Sequence, residues 1–472
     1  MMGPTKRFPP KRLWMIPLLA GGLSALALSW ALAAPRPAFL HGATNLSNRP
    51  ARLSYYPDIA ASPDGNRVVA VWPEAYQDSE VVLKGSVYLR WASENTGSGW
   101  SAPVTIHAGN SSECAHWAAV AVTGTNPYTA HVAYATKEPC GSPIKHYIRH
   151  RTCVLGEDCS PPEKVVTATL SQGDAGIGSV DIALDGDGRP HFVYAYYNLN
   201  SSENNNVGTI YYLSPDGQRE TVSSGGDART PAIAWGDGAV HIVWATEPLE
   251  GQTEYFIYYR RLSLSQALIK QELPYAPHDP AVAVFSHTVF VVWDMNNDCR
   301  SDQTQCDQYT LAYIRSTDGG LTWPQYEGNP QWYEVGGEMM GTSIPYTSTG
   351  SAEEYIRFLR PSVGFRADGK PVVVWHVKRG TVESPDYDLY YTQALTVPED
   401  AGDAIEWAEI GPYGQNLSGN SASPVVAPFL ASETVHVVYL QQVGDDWETY
   451  YDGNEYQNYP HVYLPLVMRN AP

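Results

Sequence analysis

Two arginines, Arg229 and Arg360, stand immediately before short apolar segments of the chain, where their side chains can reach a common ligand. A guanidinium group binds a carboxylate through two parallel hydrogen bonds, so the two residues are candidates for a clamp on an acidic ligand. Ordinary ion pairs, on the surface or between sheets, explain them more simply. Other candidate ligand contacts in comparable loops are Arg357, His116, His278 and His376.

Acid/base chemistry needs carboxylates at one site, and the candidates for catalysis are Glu74, Asp78, Glu247 and Tyr355. Glu74 follows Trp72 and Glu247 follows Trp244, so we expect the two glutamates to occupy equivalent positions in their repeats. Two carboxylates at one site are the arrangement that glycoside hydrolysis uses. A repeated sequence pattern explains the pair at least as well, so the sequence assigns no catalytic residue.

One segment carries the alternating oxygen side chains that calcium prefers, and its candidate ligands are Asp294, Asn296, Asp298 and Asp302. It lacks the spaced glycine and the terminal glutamate of an EF-hand loop, and a bond between Cys299 and Cys306 would order it without a metal. Four histidines precede a strand aromatic by three residues, but they lie in different repeats and cannot converge on one ion: His131, His191, His241 and His436. The sequence therefore predicts no cofactor, with structural calcium as the alternative.

The elements that must position these residues recur seven times along the chain. Each unit opens with a short apolar strand, passes through a turn that is often Asp-Gly, and continues in a β-branched strand that ends in an aromatic. These aromatics are Trp72, Tyr134, Tyr194, Trp244, Trp293, Trp375 and Tyr439. A tyrosine-rich third strand and a fourth strand complete each unit, and the last fourth strand is predicted at Val462–Val467.

This pattern predicts an all-β fold, because no helical period competes for the same residues. One four-stranded sheet cannot bury both of its faces, whereas seven sheets packed radially can. We therefore predict a seven-bladed β-propeller of four-stranded antiparallel blades over residues 57–468, with six blades as the alternative. Its strand-end tryptophans should be buried between blades. Loops before first strands and after second strands then meet at one axial mouth, where the candidate residues are expected.

The segment Ser316-Thr317-Asp318-Gly319-Gly320-Leu321-Thr322-Trp323 resembles the Asp-box, Ser-x-Asp-x-Gly-x-Thr-Trp, of the sialidase-like (BNR-repeat) propellers. It lies between the third and fourth strands of its unit, where that family places the motif. Residues 93–100 are similar to a degenerate second copy. The resemblance implies that Ser316, Asp318, Gly320 and Trp323 are structural, on the face opposite the mouth.

The same resemblance implies a range of functions. Sialidases use an arginine triad for the substrate carboxylate, an acid/base Asp, and a Tyr nucleophile activated by Glu. The first arginine belongs to a Phe/Tyr-Arg-Ile-Pro motif, and the matching stretch here, Ser54–Pro57, contains no arginine. We therefore expect the mouth to bind a glycan or cell-surface polymer. An exo-glycosidase of sialidase type and a non-catalytic protein-interaction scaffold are the alternatives.

Charge and the leader indicate where the protein works. The 472-residue chain has a formal net charge of −20, or −24 without the four basic residues of its leader, which argues against nucleic-acid binding. Residues 1–33 are typical of a signal peptide, with a basic start and an apolar run, followed by an N-terminal extension over residues 34–56. An uncleaved membrane anchor at residues 13–33 is the alternative. We expect a secreted or extracytoplasmic monomer.

The six cysteines also indicate an oxidising compartment, because an even number behind an export signal is typical of disulfides. Six cysteines allow fifteen pairings. Neighbours in sequence give the simplest set: Cys114 with Cys140, Cys153 with Cys159, and Cys299 with Cys306.

Overall fold

The computed structural model divides the chain into the units Met1–Pro35 and Arg36–Pro472, and every described residue lies in the second unit. The described residues are 43–49, 52–77, 83–92, 99–110, 112–124, 126–140, 144–170, 176–200, 205–223, 227–247, 255–263, 269–273, 277–296, 309–326, 329–335, 357–380, 385–408, 411–412, 421–427, 434–443 and 446–455. Over these ranges the secondary structure consists of strands and turns. No helix in them is long and apolar enough to cross a membrane.

Seven antiparallel sheets form the blades of a β-propeller, which confirms the predicted fold class and the number of blades. β1 (Thr44–Asn45) belongs to blade 7. Blade 1 contains β2 (Leu53–Ser54), β3 (Asp58–Ala61), β4 (Val68–Gln77), β5 (Leu83–Ala92) and β6 (Val104–His107). Blade 2 contains β7 (Cys114–Thr123), β8 (Thr129–Glu138), β9 (Lys145–Val154) and β10 (Glu163–Thr169). Blade 3 contains β11 (Gly176–Leu184), β12 (Pro190–Asn200), β13 (Asn205–Leu213) and β14 (Arg219–Thr221).

The remaining blades repeat this order. Blade 4 contains β15 (Asp227–Gly236), β16 (Ala239–Glu247), β17 (Tyr255–Arg261) and β18 (Ile269–Leu273). Blade 5 contains β19 (Pro277–Phe285), β20 (Thr288–Asn296), β21 (Tyr309–Ser316) and β24 (Tyr333–Glu334), with a small hairpin of β22 (Gln325–Tyr326) and β23 (Asn329–Pro330) before its last strand. Blade 6 contains β25 (Arg357–Phe365), β26 (Pro371–Gly380), β27 (Pro385–Thr396), β28 (Glu406–Trp407) and β29 (Gly411–Pro412). Blade 7 contains β30 (Ser421–Ala427), β31 (Thr434–Val443), β32 (Asp446–Glu455) and β1 (Thr44–Asn45).

The N-terminal segment closes the ring. β1 pairs with β32 and so supplies the outer strand of blade 7, while β2 pairs with β4 in blade 1. The outer strand of blade 7 is predicted at Val462–Val467, which lies outside the described residues. The position beside β32, where that strand was expected, is taken by Thr44–Asn45. Residues 44–49 and 52–54 therefore belong to the ring, although the sequence alone suggests an extension ahead of it.

The core is divided into seven hydrophobic clusters, one at each contact between neighbouring blades. The aromatic of each second strand packs in the cluster that its blade shares with the preceding blade. The tryptophans at this position, Trp72, Trp244, Trp293 and Trp375, are at most 1% exposed, which confirms their predicted burial between blades. Each cluster thus covers a sheet face that a single blade would leave in water.

Every first strand carries a β-bulge of one extra residue near its start. In blade 4, for example, Arg229 pairs with Ala245 and Ala232 pairs with Val243, so three steps on β15 match two steps on β16. The same offset occurs in all the other blades. A bulge re-aims the side chains around it, so seven bulges at one level form a ring of re-aimed residues around the axis.

The Asp-box segment forms the turn that the resemblance implies. Asp318 Oδ1 accepts hydrogen bonds from the backbone N–H groups of Leu321 and Thr322, at 3.0 and 2.9 Å. Its other oxygen accepts from Thr322 Oγ1 at 2.6 Å. Gly320 has a φ of +79°, and a side chain there would collide with the hydroxyl of Tyr259. Trp323 packs edge-on against the Tyr259 ring in the preceding blade.

The degenerate copy retains one part of this arrangement. Residues 93–98 lie outside the described ranges, but Trp100 packs edge-on against Tyr451 of blade 7, with ring centroids 4.8 Å apart. Tyr451 occupies the strand position in β32 that Tyr259 occupies in β17, as the strand registers show. The tryptophan is therefore the part of the motif that joins two blades in both copies.

The repeated histidines are packing residues. In three blades the imidazole Nδ1 lies 2.6 Å from a tyrosine hydroxyl on the third strand of the same blade, in the pairs His191–Tyr212, His241–Tyr259 and His436–Tyr451. In blade 2 the Nδ1 of His131 lies 3.2 Å from the Nε2 of His150. Two of the predicted disulfides are present, Cys114–Cys140 and Cys153–Cys159, and the third pair lies outside the described residues.

We predict that Asp318→Ala lowers the free energy of unfolding by about 1–3 kcal/mol, because the turn loses the acceptor for four hydrogen bonds. Urea denaturation measures this change. The control is Asp216→Ala in the corresponding turn of blade 3, where the side chain is exposed. Ligand affinity should not change in either variant. Equal stability of the two variants would contradict the structural role of the Asp-box.

We predict that the protein loses stability as the pH falls from about 6.5 toward 4. Six histidines have a pKa lowered to about 3 or 4, and burial is the largest cause in each. They are His116, His131, His146, His150, His241 and His436. Because the unfolded chain takes up these protons first, each histidine leaves the stability unchanged above its ordinary pKa of about 6.5 and lowers it as the pH falls from there toward the folded pKa. Four acids with a raised pKa, Asp58, Glu74, Asp181 and Glu334, act in the opposite direction but are fewer.

The test compares urea denaturation at several pH values in wild type and two variants. His241→Phe should reduce the pH dependence by about 1.4 kcal/mol per pH unit between pH 6 and 4, since one proton is no longer taken up on unfolding. His287→Phe is the control, because its side chain is 72% exposed. If His241→Phe and His287→Phe gave the same slope, the linkage to the buried histidines would be wrong.

Candidate functional site

The bulges surround a cavity of about 200 Å³ at the axial mouth, which receives residues from all seven blades. The residues in the bulges that line it are here called the rim residues: Tyr56, Trp117, Ser179, Thr230, Asp279 and Arg360, from blades 1 to 6. Of these, Arg360 is a predicted ligand contact, and Asp279 lies in a loop that the sequence places at the mouth. The others hold positions that no regular strand pattern marks as special.

Four rim residues have a backbone conformation that residues with side chains rarely adopt. Their φ angles are +45° at Tyr56, +47° at Thr230, +39° at Asp279 and +51° at Arg360. Non-glycine residues with positive φ are uncommon, and such strain concentrates at binding and catalytic sites. Four of them around one cavity mark the mouth as a functional site.

Rim residues from four blades form a connected row across the mouth. The Tyr56 and Trp117 rings are stacked, with centroids 4.2 Å apart and planes 25° from parallel. The Arg360 guanidinium continues the row from Tyr56, because it lies over the Tyr56 ring at 4.7 Å from the ring centroid. Its Nε is 3.5 Å from Asp279 Oδ2. The row offers a flat apolar surface at one end and a neutralised ion pair at the other.

The rim residues of blades 3 and 4 contribute hydroxyl groups. Ser179 is 7% exposed, and no hydrogen-bond partner is present for its Oγ. Thr230 Oγ1 is likewise buried without a partner. A buried hydroxyl that lacks a partner is costly, so both groups are suited to a hydrogen bond with a bound ligand.

Two carboxyl groups, Asp58 and Asp181, lie immediately below the rim residues and also line the wider axial cavity of about 1110 Å³ beneath. Asp58 Oδ2 accepts from Val120 N–H in the next blade at 2.7 Å, and Asp181 Oδ2 accepts from Ile233 N–H at 2.9 Å. Burial, with the nearby charge of Asp181, raises the pKa of Asp58 to about 7. Burial raises the pKa of Asp181 to about 6.

Sequence reasoning did not identify this pair as site residues. The available signal was an acid at a first-strand position that is Ala, Ser or Val in the other five blades.

Arg229 belongs to a separate ion-pair cluster beside the mouth. Its Nε and Nη2 donate to Asp227 Oδ2 at 2.9 and 2.5 Å, and Nη2 is 3.2 Å from Glu247 Oε2. Asp227 Oδ1 also accepts from Gly208 N–H at 2.6 Å. The guanidinium is therefore bound by two carboxylates of its own blade, and Arg229 does not line the mouth cavity.

Glu74 and Glu247 are not at equivalent positions. Glu74 follows Trp72 by two residues and pairs with Ser54, whereas Glu247 follows Trp244 by three and pairs with Asp227. Side chains alternate along a strand, so the offset of one residue places them on opposite faces. The assumed equivalence is wrong.

Glu74 lies in the seam between blades 1 and 7, and it is 1% exposed. Its Oε1 accepts from Trp72 Nε1 at 2.8 Å, while Arg49 and Arg52 of the N-terminal segment lie 3.8 and 3.7 Å from Oε2. Burial raises the pKa of Glu74 even though these groups oppose the change. Arg52 also donates to the Tyr88 hydroxyl at 3.1 Å. These contacts hold the ring closure together and lie away from the residues that line the mouth cavity.

The histidine candidates are dispersed. His116 Nε2 is 2.9 Å from the carbonyl oxygen of Ile177, so its ring lies between blades 2 and 3, and burial lowers its pKa to about 3. His376 follows Trp375 in β26 and is 4% exposed. His278 lies opposite Asp294 in the strand register, and only its backbone belongs to the described part of the chain. None of these placements tests a contact with a ligand.

Other predicted site residues lie outside the described ranges, namely Asp78, Tyr355, Asp298 and Asp302, as does the side chain of Arg357. Of the calcium candidates, Asp294 and Asn296 fall in the regular strand β20, and Asp294 is 1% exposed. Calcium at this segment stays a prediction. In the described part of the chain, no group of three or more His, Cys, Asp and Glu side chains is arranged to hold a metal ion.

Comparison with known proteins finds remote structural similarity. No protein-family model matches the chain, and no curated protein matches it. Trypanosoma rangeli sialidase is similar with a TM-score of 0.40 and 11% identity, over 87% of this chain and 59% of the sialidase chain. The GH93 alpha-L-arabinofuranosidase of Fusarium graminearum, in complex with arabinobiose, gives 0.45 and 9%, over 88% and 98% of the two chains. A thermostable family-43 glycoside hydrolase gives 0.32 and 13%, over 65% and 95%.

These values carry no conclusion about what this chain binds, and the chain spans about 59% of the length of the sialidase. The architecture rests on the structure itself. Seven blades, with the Asp318 turn between the third and fourth strands of blade 5, make this a seven-bladed β-propeller.

Proposed function

We propose that this protein is an exported β-propeller that binds a glycan at its axial mouth. The observation that carries the proposal is the set of rim residues, in which a stacked Tyr56–Trp117 pair faces the same cavity as the unpartnered hydroxyls of Ser179 and Thr230. Aromatic rings cover the apolar face of a sugar ring, while buried polar groups bond its hydroxyls. Backbone strain at four of the rim residues supports a site held in shape before the ligand arrives.

Export is supported by two separate observations. The leader has the basic start and apolar run of a signal peptide, with Ala31-Leu32-Ala33 as the cleavage sequence. The disulfides Cys114–Cys140 and Cys153–Cys159 require an oxidising compartment to persist. A glycan of the cell surface or its surroundings is therefore within reach of the mouth.

We predict that Trp117→Ala and Tyr56→Ala each weaken glycan binding at least tenfold, because each removes one ring of the stacked surface. A glycan array followed by titration calorimetry with the best ligand measures the loss. The matched control is Trp235→Ala, since this residue lines the wider cavity at the other end of the axial channel and not the mouth. Equal affinities in all the variants would move the site away from the mouth and favour the interaction-scaffold alternative.

A second function, exo-glycoside hydrolysis, is favoured by one observation at the same site. Asp58 has a pKa raised to about 7 beside a second carboxyl group, Asp181, so it retains a proton near neutral pH. A general acid that protonates a leaving oxygen needs such a pKa, and glycoside hydrolases use two carboxyl groups. We propose Asp58 as the proton donor in this alternative, in place of the catalytic candidates predicted from the sequence.

If the protein hydrolyses a glycoside, Asp58→Asn should lower kcat by about 10²–10⁴-fold while leaving the fold intact, because asparagine retains an oxygen acceptor for Val120 N–H. A panel of fluorogenic glycosides measures turnover. Asp64→Asn is the control, since Asp64 lies in the following turn of the same blade, outside the lining of the mouth cavity, where it accepts hydrogen bonds from Ser62, Asn66 and Tyr128. Absence of turnover by the wild type on every glycoside would exclude the hydrolase and leave the binding function standing.

A further inference from the structure

The charges at the mouth define the class of glycan, given the proposed binding function. Among the described residues that line the mouth cavity, three are acids, Asp58, Asp181 and Asp279, and one is basic, Arg360. Beside the cavity, Arg229 is matched by Asp227 and Glu247. Carboxyl groups thus outnumber guanidinium groups in both places, on a chain whose net charge is already −20.

Both guanidinium groups are already neutralised. Arg229 donates two hydrogen bonds to one carboxylate and contacts a second. Arg360 is held between Asp279 and the face of the Tyr56 ring. A carboxylate on a ligand would have to displace Asp279 from Arg360 or enter beside it, and like charges in a shared site repel strongly. The arginine clamp that the sequence suggests for an acidic ligand is closed by the protein's own acids.

The remaining polar groups suit hydroxyl groups on the ligand. A carboxylate only accepts hydrogen bonds, so Asp279 and Asp181 can take them from sugar hydroxyls. The hydroxyls of Ser179 and Thr230 can donate or accept, and both are buried without a partner. The stacked Tyr56–Trp117 pair adds apolar ring surface to the lining of the cavity.

The size of the cavity limits how the ligand enters. Its volume of about 200 Å³ is below the range of about 300–1,000 Å³ usual for a drug-sized ligand, and residues of all seven blades line it. A space of this size accommodates a single sugar unit, and a glycan presents a single unit most readily at its end. We infer that the mouth binds the terminal unit of an uncharged glycan and discriminates against sugars that carry a carboxylate.

The test uses the mature protein and pairs of oligosaccharides that share a backbone and differ in the terminal unit, which is a neutral sugar, a sialic or uronic acid, or an amino sugar. We expect the neutral terminus to bind at least tenfold more tightly than the acidic one. Raising the salt concentration from about 50 to 500 mM should leave the neutral ligand's affinity unchanged within about twofold, since no ligand charge is screened. This salt measurement requires no variant.

The variant Asp279→Asn should release Arg360 from its carboxylate partner and reduce the preference for the neutral terminus by about tenfold or more. The control is Asp368→Asn, which breaks the ion pairs with Arg366 and Lys370 outside the mouth and should keep the wild-type preference. Tighter binding of the acidic or the amino terminus by the wild type would overturn this inference while the proposed glycan-binding function stood. Binding of no glycan at all would overturn both.

Discussion

Burial of both faces of every sheet is the constraint on which the rest of this structure depends. A single blade has two apolar faces, and the seven hydrophobic clusters show that each face is covered only by the neighbouring blade. The ring must therefore close. The last contact is made by residues 44–49 and 52–54, where Leu46 is fully buried, Ser47 Oγ accepts from Thr449 N–H, and Asn45 bonds to Glu448. Arg49 and Arg52 then compensate the buried charge of Glu74 at the same seam.

Ring closure also creates the site. All seven first strands carry a bulge, and the bulges bring residues of every blade to one cavity. The rim residues differ from blade to blade, and they are Tyr, Trp, Ser, Thr, Asp and Arg in blades 1 to 6. One level deeper the chain lines the axis mainly with small side chains, so Asp58 and Asp181 stand out there. Repetition supplies the scaffold, and departures from repetition supply the chemistry.

The repeat was predictable from sequence because packing repeats with it. The strand-end aromatics and the Asp-box follow from local patterns, and the structure confirms both. The closing strand was not predictable, since the two residues Thr44–Asn45 carry no pattern, and their partner β32 lies some 400 positions away in the chain. The bulges explain why most rim residues escaped notice, because one extra residue shifts the apparent phase of a first strand. Glu74 and Glu247 lie on second strands, and their different distances from Trp72 and Trp244 separate them.

Arginine is a poor guide to an acidic ligand unless its partners are known. A guanidinium near a mouth attracts a carboxylate only to the extent that its charge is uncompensated, and sequence gives the arginine without its partner. Here the partner of Arg360 comes from the adjacent blade, about 80 residues earlier, and those of Arg229 come from its own blade. The same residues that suggested a clamp thus form closed ion pairs that fix the shape of the rim. The groups left to contact a ligand are then two hydroxyls, an aromatic surface and carboxyl oxygens. Together they bind hydroxyl groups of a ligand better than they bind its charged groups.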